Sequence, residues 1–149
     1  MPLPVSPGFV QLPNLLNPGF EEGRPPLLPQ GWQFGSNGGY FAQTTSDDCY
    51  SGNQCAMVQS SRIHLPNQKA FLFQKVDALP YRGKQFTFRA AVRAKVAGPP
   101  DTARLLMRIH QSDGSSCFFD NMENRPITSE QWSFYEITGT VCLDGDIPG

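Results

Sequence analysis

Few side chains in this sequence are placed to perform covalent chemistry. It contains two histidines, His64 and His110, and neither belongs to a Gly-x-Ser-x-Gly, His-Glu-x-x-His or phosphate-loop motif. Two carboxylates on a β-sandwich can serve as the acid and the nucleophile of a glycosidase, but Asp120 and Glu123 lie too close together in an apparent loop. We therefore expect a domain that binds and does not catalyse.

The four cysteines are suited to pairing with one another. Cys49 and Cys55 frame a turn-like stretch, while Cys117 and Cys142 each lie in or beside an apparent strand. Neither pair has the spacing of a metal site. If the sulfurs form disulfides, the protein belongs in an oxidising compartment and is secreted or at the cell surface. Four separate buried thiols are the alternative, and the sequence does not set the connectivity.

Composition narrows the class of protein. The chain has 149 residues, enough for one domain with a core, and 39% of them are apolar and 17% charged, which argues against global disorder. A net charge of -1 gives no reason to expect nucleic acid or an anionic membrane as a partner. No apolar run approaches the ~20 residues of a membrane span.

Short strands account best for the pattern of the chain, because 14 glycines and 14 prolines leave little room for long helices. Residues 85–96 alternate apolar and polar side chains, as a strand with one buried face does. We predict an all-β antiparallel sandwich of about eight short strands and no long helix. Residues 1–13 are predicted to be a proline-rich arm or linker, and residues 14–149 one β-sandwich domain that lacks its final strand. The predicted strands are residues 32–34, 40–45, 54–60, 70–76, 85–96, 104–111, 117–119 and 132–142.

Five segments occur in an order found in a known family. They are Asn17-Pro18-Gly19-Phe20-Glu21-Glu22-Gly23, Trp32 after a Pro-Gln-Gly loop, residues 50–58, residues 83–94 and Trp132-Ser133-Phe134-Tyr135. Together they resemble the carbohydrate-binding modules of the galactose-binding-like superfamily over residues 14–142. The resemblance implies a jelly-roll fold and a non-catalytic module that binds a poly- or oligosaccharide. Residues 119–127 also resemble a stretch of bacterial proteins with the same type of sandwich.

A sugar site needs aromatic rings that stack on a pyranose and planar polar groups that bind its hydroxyls. Candidates on loops or outward strand faces are Trp32, Tyr40, Tyr50, Arg62, Arg89, Arg108 and Gln111. For Trp32, as for Trp132, the alternative is a place in the core. If their strands are neighbours, a basic stripe suited to an anionic glycan would consist of Arg89, Arg93, Arg104 and Arg108; a solvated strand face is the alternative.

The resemblance also implies a structural calcium ion at Glu21 and Glu22, since a hard cation prefers carboxylate and carbonyl oxygens. In the resembled modules an Asp of the final strand completes such a site, and that strand is not found here. The alternative is that both acids are solvated loop residues. A missing strand would leave a sheet edge open to self-association, so the alternative function is a structural or protein-interaction sandwich that pairs with a partner strand.

Overall fold

The computed structural model describes residues 13–61, 65, 67–97 and 101–143. The fold is all-β, as predicted: every strand pairing is antiparallel, and the described helical residues form one 3-10 helix, Leu79–Tyr81. No helix in the described part of the chain is long and apolar enough to cross a membrane. The strands are β1 (Gln33–Ser36), β2 (Tyr40–Thr45), β3 (Cys55–Ser60), β4 (Ala70–Phe73), β5 (Gln85–Val92), β6 (Met107–His110), β7 (Ser116–Asp120) and β8 (Ser133–Thr140).

The chain forms two compact units, Met1–Gln74 and Lys75–Gly149. The predicted proline-rich arm lies, except for Pro13, outside the described residues, and the arrangement of all strands as one jelly-roll sandwich stays a prediction.

The first unit contains two antiparallel strand pairs, β1 with β4 and β2 with β3. Among its described residues, the buried ones are Asn17, Pro29 and Thr44. The backbone N–H and the hydroxyl of Thr44 both donate to the carbonyl of Leu27, each at 2.8 Å. Hydrogen bonds between loops and strands therefore bury polar groups in the interior of this unit, where apolar side chains are usual.

The second unit contains the pairs β5 with β8 and β6 with β7. The alternation predicted for β5 is confirmed, because Phe86, Phe88, Ala90 and Val92 all pack against a buried cluster around Ile137. β5 ends at Val92, four residues earlier than the predicted 85–96. Its partner β8 begins at Ser133, opposite Val92, and the N–H of Ala94 donates to the carbonyl of Ser129 instead.

A glycine inside β8 makes room for two aromatic rings of the same core. Gly139 lies opposite Phe86, and the Phe86 and Phe118 rings meet edge to face with centroids 5.1 Å apart. A Cβ on Gly139 would lie 2.5 Å from Cε2 of Phe118, well inside van der Waals contact. The absence of a side chain at this position therefore leaves room for the Phe86 and Phe118 rings.

The structure sets the connectivity that the sequence left open: the two disulfides join Cys49 with Cys55 and Cys117 with Cys142. The Cα atoms are 5.6 Å and 6.3 Å apart, within the usual range for a disulfide. Cys117 sits at a β-bulge: the β6–β7 register changes from Ile109 opposite Phe118 to His110 opposite Ser116. Cys117 therefore has no partner residue in β6, and its sulfur bonds to that of Cys142. The two bridges indicate an oxidising environment.

Removal of the Cys117–Cys142 bridge should cost more stability than removal of Cys49–Cys55, because their sequence separations are 25 and 6 residues. Loop-closure entropy gives about 3.5 kcal/mol for the longer loop and about 2 kcal/mol for the shorter one. Urea unfolding of the double Cys→Ser variants measures both losses. A larger loss for the shorter loop would contradict this account.

Candidate functional site

The side chain of Asn17 organises the opening loop of the first unit. Its Nδ2 donates to the carbonyls of Glu22 and Gln30 at 2.9 and 2.8 Å, and its Oδ1 accepts from the N–H of Glu22 at 3.0 Å. Asn17 is buried at 9% exposure and has a φ of 48°, a left-handed conformation that Asn tolerates better than most residues. One amide thus joins both ends of the loop.

Trp32, a predicted ligand residue, is attached to the same loop. Its indole Nε1 donates to the carbonyl of Asn17 at 2.9 Å, and its ring centroid lies 5.0 Å from that of Phe20. The side chain is half-buried. These contacts give Trp32 a structural role in holding the loop against β1.

Around the predicted calcium residues Glu21 and Glu22, backbone and carboxylate oxygens accept hydrogen bonds from the protein. Gln54 Nε2 donates to the carbonyls of Phe20 and Gly23 at 2.9 and 3.1 Å, and a Glu21 carboxylate oxygen accepts from the N–H of Asn53 at 2.9 Å. The side chain of Glu22 is exposed. No group of three or more His, Cys, Asp or Glu that could hold a metal ion occurs among the described residues. The calcium site that the resemblance implies would therefore require the displacement of protein donors, and the calcium dependence of stability tests it.

The other predicted ligand residues occupy varied positions. Tyr40 is half-buried at the start of β2, and Tyr50 is 45% exposed in the loop closed by the Cys49–Cys55 bridge. Arg62 lies outside the described residues. Gln111 belongs to the turn between β6 and β7, where its side-chain oxygen accepts from the Ser115 hydroxyl and its N–H donates to the Ser115 carbonyl. The contacts of Gln111 hold the turn.

Arg108, also predicted from the sequence, is paired with an aromatic ring that the sequence analysis did not select. Arg108 lies opposite Phe119 in the β6–β7 pair, and its guanidinium carbon is 4.7 Å from the ring centroid. Phe119 is 47% exposed, because Phe118 takes the position that faces the core. An open depression of about 450 Å³ begins at this ring and is lined by Phe119, Asp120, Asn121, Glu123 and Asn124.

The shape of this groove depends on Asp120. Its carboxylate accepts from Arg125 at 2.5 Å and from the N–H of Met122 at 2.8 Å, and these two contacts hold the pKa of Asp120 below its usual value, the Arg125 contact contributing most. Met122 has a φ of 57° and is 2% exposed, so its side chain enters the core. The turn this creates presents Asn121, Glu123 and Asn124 around the groove.

A second set of arginine–ring contacts lies on the β5–β8 face that points away from the core. The guanidinium carbon of Arg89 is 3.8 Å from the Phe134 centroid, and that of Arg93 is 5.4 Å from the Trp132 centroid. Arg89 Nε also lies 3.5 Å from a carboxylate oxygen of Glu136. We call Arg89, Arg93, Trp132, Phe134 and Glu136 the arginine ladder. Trp132 is half-buried and belongs to neither buried cluster of the described chain.

The four-arginine stripe considered from the sequence is not formed by neighbouring strands. Arg89 lies on β5, which pairs with β8, whereas Arg108 lies on β6, which pairs with β7. Phe119 and Phe134 are not among the ligand residues predicted from the sequence. The period-two alternation of β7 and β8 could have predicted them. Where Phe118, Tyr135 and Ile137 face the core, the alternating residues Phe119 and Phe134 face outward.

Comparison with known proteins does not place the chain in a family. No protein-family model matches it, and no solved structure matches it. It is similar to a protein described as an uncharacterized HTH-type transcriptional regulator YbfP of Bacillus subtilis (strain 168), with 28% identity over 92 residues. The match covers 61% of this chain and 30% of that protein.

The described residues contain no α-helix, whereas a helix-turn-helix needs two helices. The similarity therefore does not assign DNA binding to this chain.

The contacts of Gln54 lead to a prediction about metal dependence. The melting temperature of the wild-type protein should be the same in calcium and in chelator. Gln54→Glu replaces the amide donor with a carboxylate facing two carbonyls, which should cost about 2 kcal/mol. Calcium should recover part of that loss, because the variant gathers oxygen ligands around one point.

Gln30→Glu is the matched control, since it makes the same charge change at an exposed side chain of the same loop. It should melt like the wild type with and without calcium. Calcium-dependent melting of the wild type would show that the loop holds the cation and that the observed hydrogen bonds give way to it.

Proposed function

We propose that this protein is a non-catalytic carbohydrate-binding module that recognises a poly- or oligosaccharide on the groove beside Phe119. The observation that carries the proposal is one half-exposed ring next to a cluster of planar polar side chains. Phe119 is 47% exposed, and the adjoining groove is lined by Asp120, Asn121, Glu123 and Asn124.

The chemistry of the groove suits a hydroxyl-rich ligand. The apolar face of a pyranose can stack on an aromatic ring, while carboxylate and amide groups exchange hydrogen bonds with its hydroxyls. The Asp120 contacts with Arg125 and Met122 hold the turn in place before a ligand arrives. A site that is already ordered loses less conformational entropy on binding.

The same proposal places the protein outside the cytoplasm, as a secreted or cell-surface module. Both disulfides support this location, because such bonds persist in oxidising compartments. The resemblance of residues 14–142 to carbohydrate-binding modules of the galactose-binding-like superfamily supports the ligand class.

Phe119→Ala tests the site. An array of neutral glycans first identifies a ligand of the wild-type protein. The variant should bind that glycan about tenfold more weakly, the effect of losing roughly 1.4 kcal/mol of ring stacking. Phe71→Ala is the matched control, because Phe71 is a strand phenylalanine of similar exposure, 45% against 47%. It should change the affinity less than twofold. Equal losses in both variants, or no binding to any glycan, would overturn the proposal.

A structural or interaction module that pairs with a partner strand is the second candidate. In the part of the chain that is described, each strand hydrogen-bonds to one other strand, and a two-stranded sheet leaves backbone N–H and C=O groups unpaired along its edges.

Sedimentation of the protein over a wide range of concentrations tests this candidate. A weight-average mass that rises with concentration is the result expected from edge pairing. A single monomeric species throughout would rule out self-association through an open edge.

A further inference from the structure

The arginine ladder has a composition and geometry that the Phe119 groove does not share. We propose that this face of β5 and β8 is a separate binding surface for an acidic polysaccharide, one that carries carboxylate or sulfate groups along its chain. The proposal does not use Phe119 or the groove, so either site can fail without the other.

Strand register is the reason that the ladder forms. Arg89 lies opposite Glu136, and Ala91 lies opposite Phe134, so Arg89 and Phe134 are diagonal neighbours within reach of a long side chain. Ala91 is small and leaves space beside the Phe134 ring. Just beyond the ends of the two strands, Arg93 and Trp132 make a second contact, with the guanidinium carbon 5.4 Å from the ring centroid. Two guanidinium groups thus follow one another on the same face.

Contact with a ring restricts where each guanidinium can lie. The N–H donors of a guanidinium lie in the plane of the group, where they can form the two parallel bonds that carboxylate and sulfate oxygens accept. Arg89 has a side-chain exposure of 34%, and Arg93 is exposed. The rings therefore limit the rotamers of both arginines without covering them.

Spacing favours a polymer over a single small anion. Arg89 and Arg93 are four residues apart, roughly 13 Å in an extended strand at about 3.3 Å per residue. Charged groups repeated along a polysaccharide can contact two arginines spaced in this way at the same time. The same outward face continues with Thr87 opposite Thr138 and Gln85 opposite Thr140, which add hydroxyl and amide groups for sugar hydroxyls.

The arginine ladder and the groove differ in the sign of the charged side chains that they carry. The ladder carries two arginines against one glutamate, while Asp120 and Glu123 line the groove. An acidic polymer is therefore complementary to the ladder and repelled by the groove acids. Nucleic acid is also an anionic polymer, but the two disulfides indicate an oxidising compartment and not the cytosol or nucleus, where such bonds are rare.

The experiment measures binding of the 149-residue chain to polygalacturonate, dextran sulfate, neutral dextran and a single-stranded oligonucleotide. The double variant R89Q/R93Q should lose at least about tenfold in affinity for one or both acidic polysaccharides. R82Q/R104Q removes the same charge outside the ladder and should lose less than about twofold. The two acidic probes show whether carboxylate or sulfate is preferred.

Equal losses in both double variants would show general charge attraction and overturn the proposal. Ladder-dependent binding that is tighter for the oligonucleotide than for either polysaccharide would also overturn it, in favour of nucleic acid. So would binding of neutral dextran as tight as that of the acidic polymers. If R89Q/R93Q does not fold, R89K/R93K tests the planar guanidinium groups, because it preserves the charge. It should lose more affinity for the acidic polysaccharides than R82Q/R104Q does. An unchanged affinity would contradict the proposed role of the ring contacts.

Phe119→Ala keeps the ladder intact, so it should bind the acidic polymers as the wild type does. Loss of acidic-polymer binding in Phe119→Ala would show that both ligands use the groove and would remove the case for a second surface.

Discussion

The side-chain amide of Asn17 is the constraint on which the first unit depends. It forms hydrogen bonds with the backbone of both Glu22 and Gln30. The backbone carbonyl of Asn17 accepts from the indole N–H of Trp32 and from the N–H of Phe20. A net contribution of about 1 kcal/mol per hydrogen bond is modest, but leaving such buried groups unpaired costs about 1–3 kcal/mol each. Alternative loop conformations are therefore excluded mainly by the donors and acceptors they would leave unsatisfied.

The second unit is held by the opposite kind of interaction. Ile109, Met122, Ile127 and Ile137 are each 2% exposed or less, and the inward residues of β5 and β8 pack around them. Because alternation assigns every second residue to this core, the remaining residues of the same strands must point away from it. The arginine ladder and the Arg108–Phe119 pair occupy these outward positions, so their side chains can vary without altering the core.

Sequence reasoning succeeded where a local pattern determined the structure. The alternation of β5 was visible because a strand with one buried face repeats every two residues, and the cysteine pairs lay in stretches that could bring them together. It did not predict that Gln54 donates to Phe20 and Gly23, since those contacts span 34 and 31 residues. A place in the core was the alternative considered for Trp132, because a large aromatic residue is usually buried, yet it precedes β8, is half-buried and lies against Arg93. The spacing of arginines along the chain likewise could not reveal which strands pair.

Among the described residues of the second unit, an arginine lies over an aromatic ring three times, and two of these contacts, Arg89–Phe134 and Arg108–Phe119, join facing strands. Residues on facing antiparallel strands have Cβ atoms close enough for a long side chain to lie over a neighbouring ring. The contact covers apolar ring surface and gives about 0.5–1 kcal/mol at an exposed site. It also fixes a flexible cation before any ligand is bound, which lowers the entropy lost on binding. Stabilising the sheet and preparing its surface for a ligand are therefore two consequences of the same contact, and neither role excludes the other.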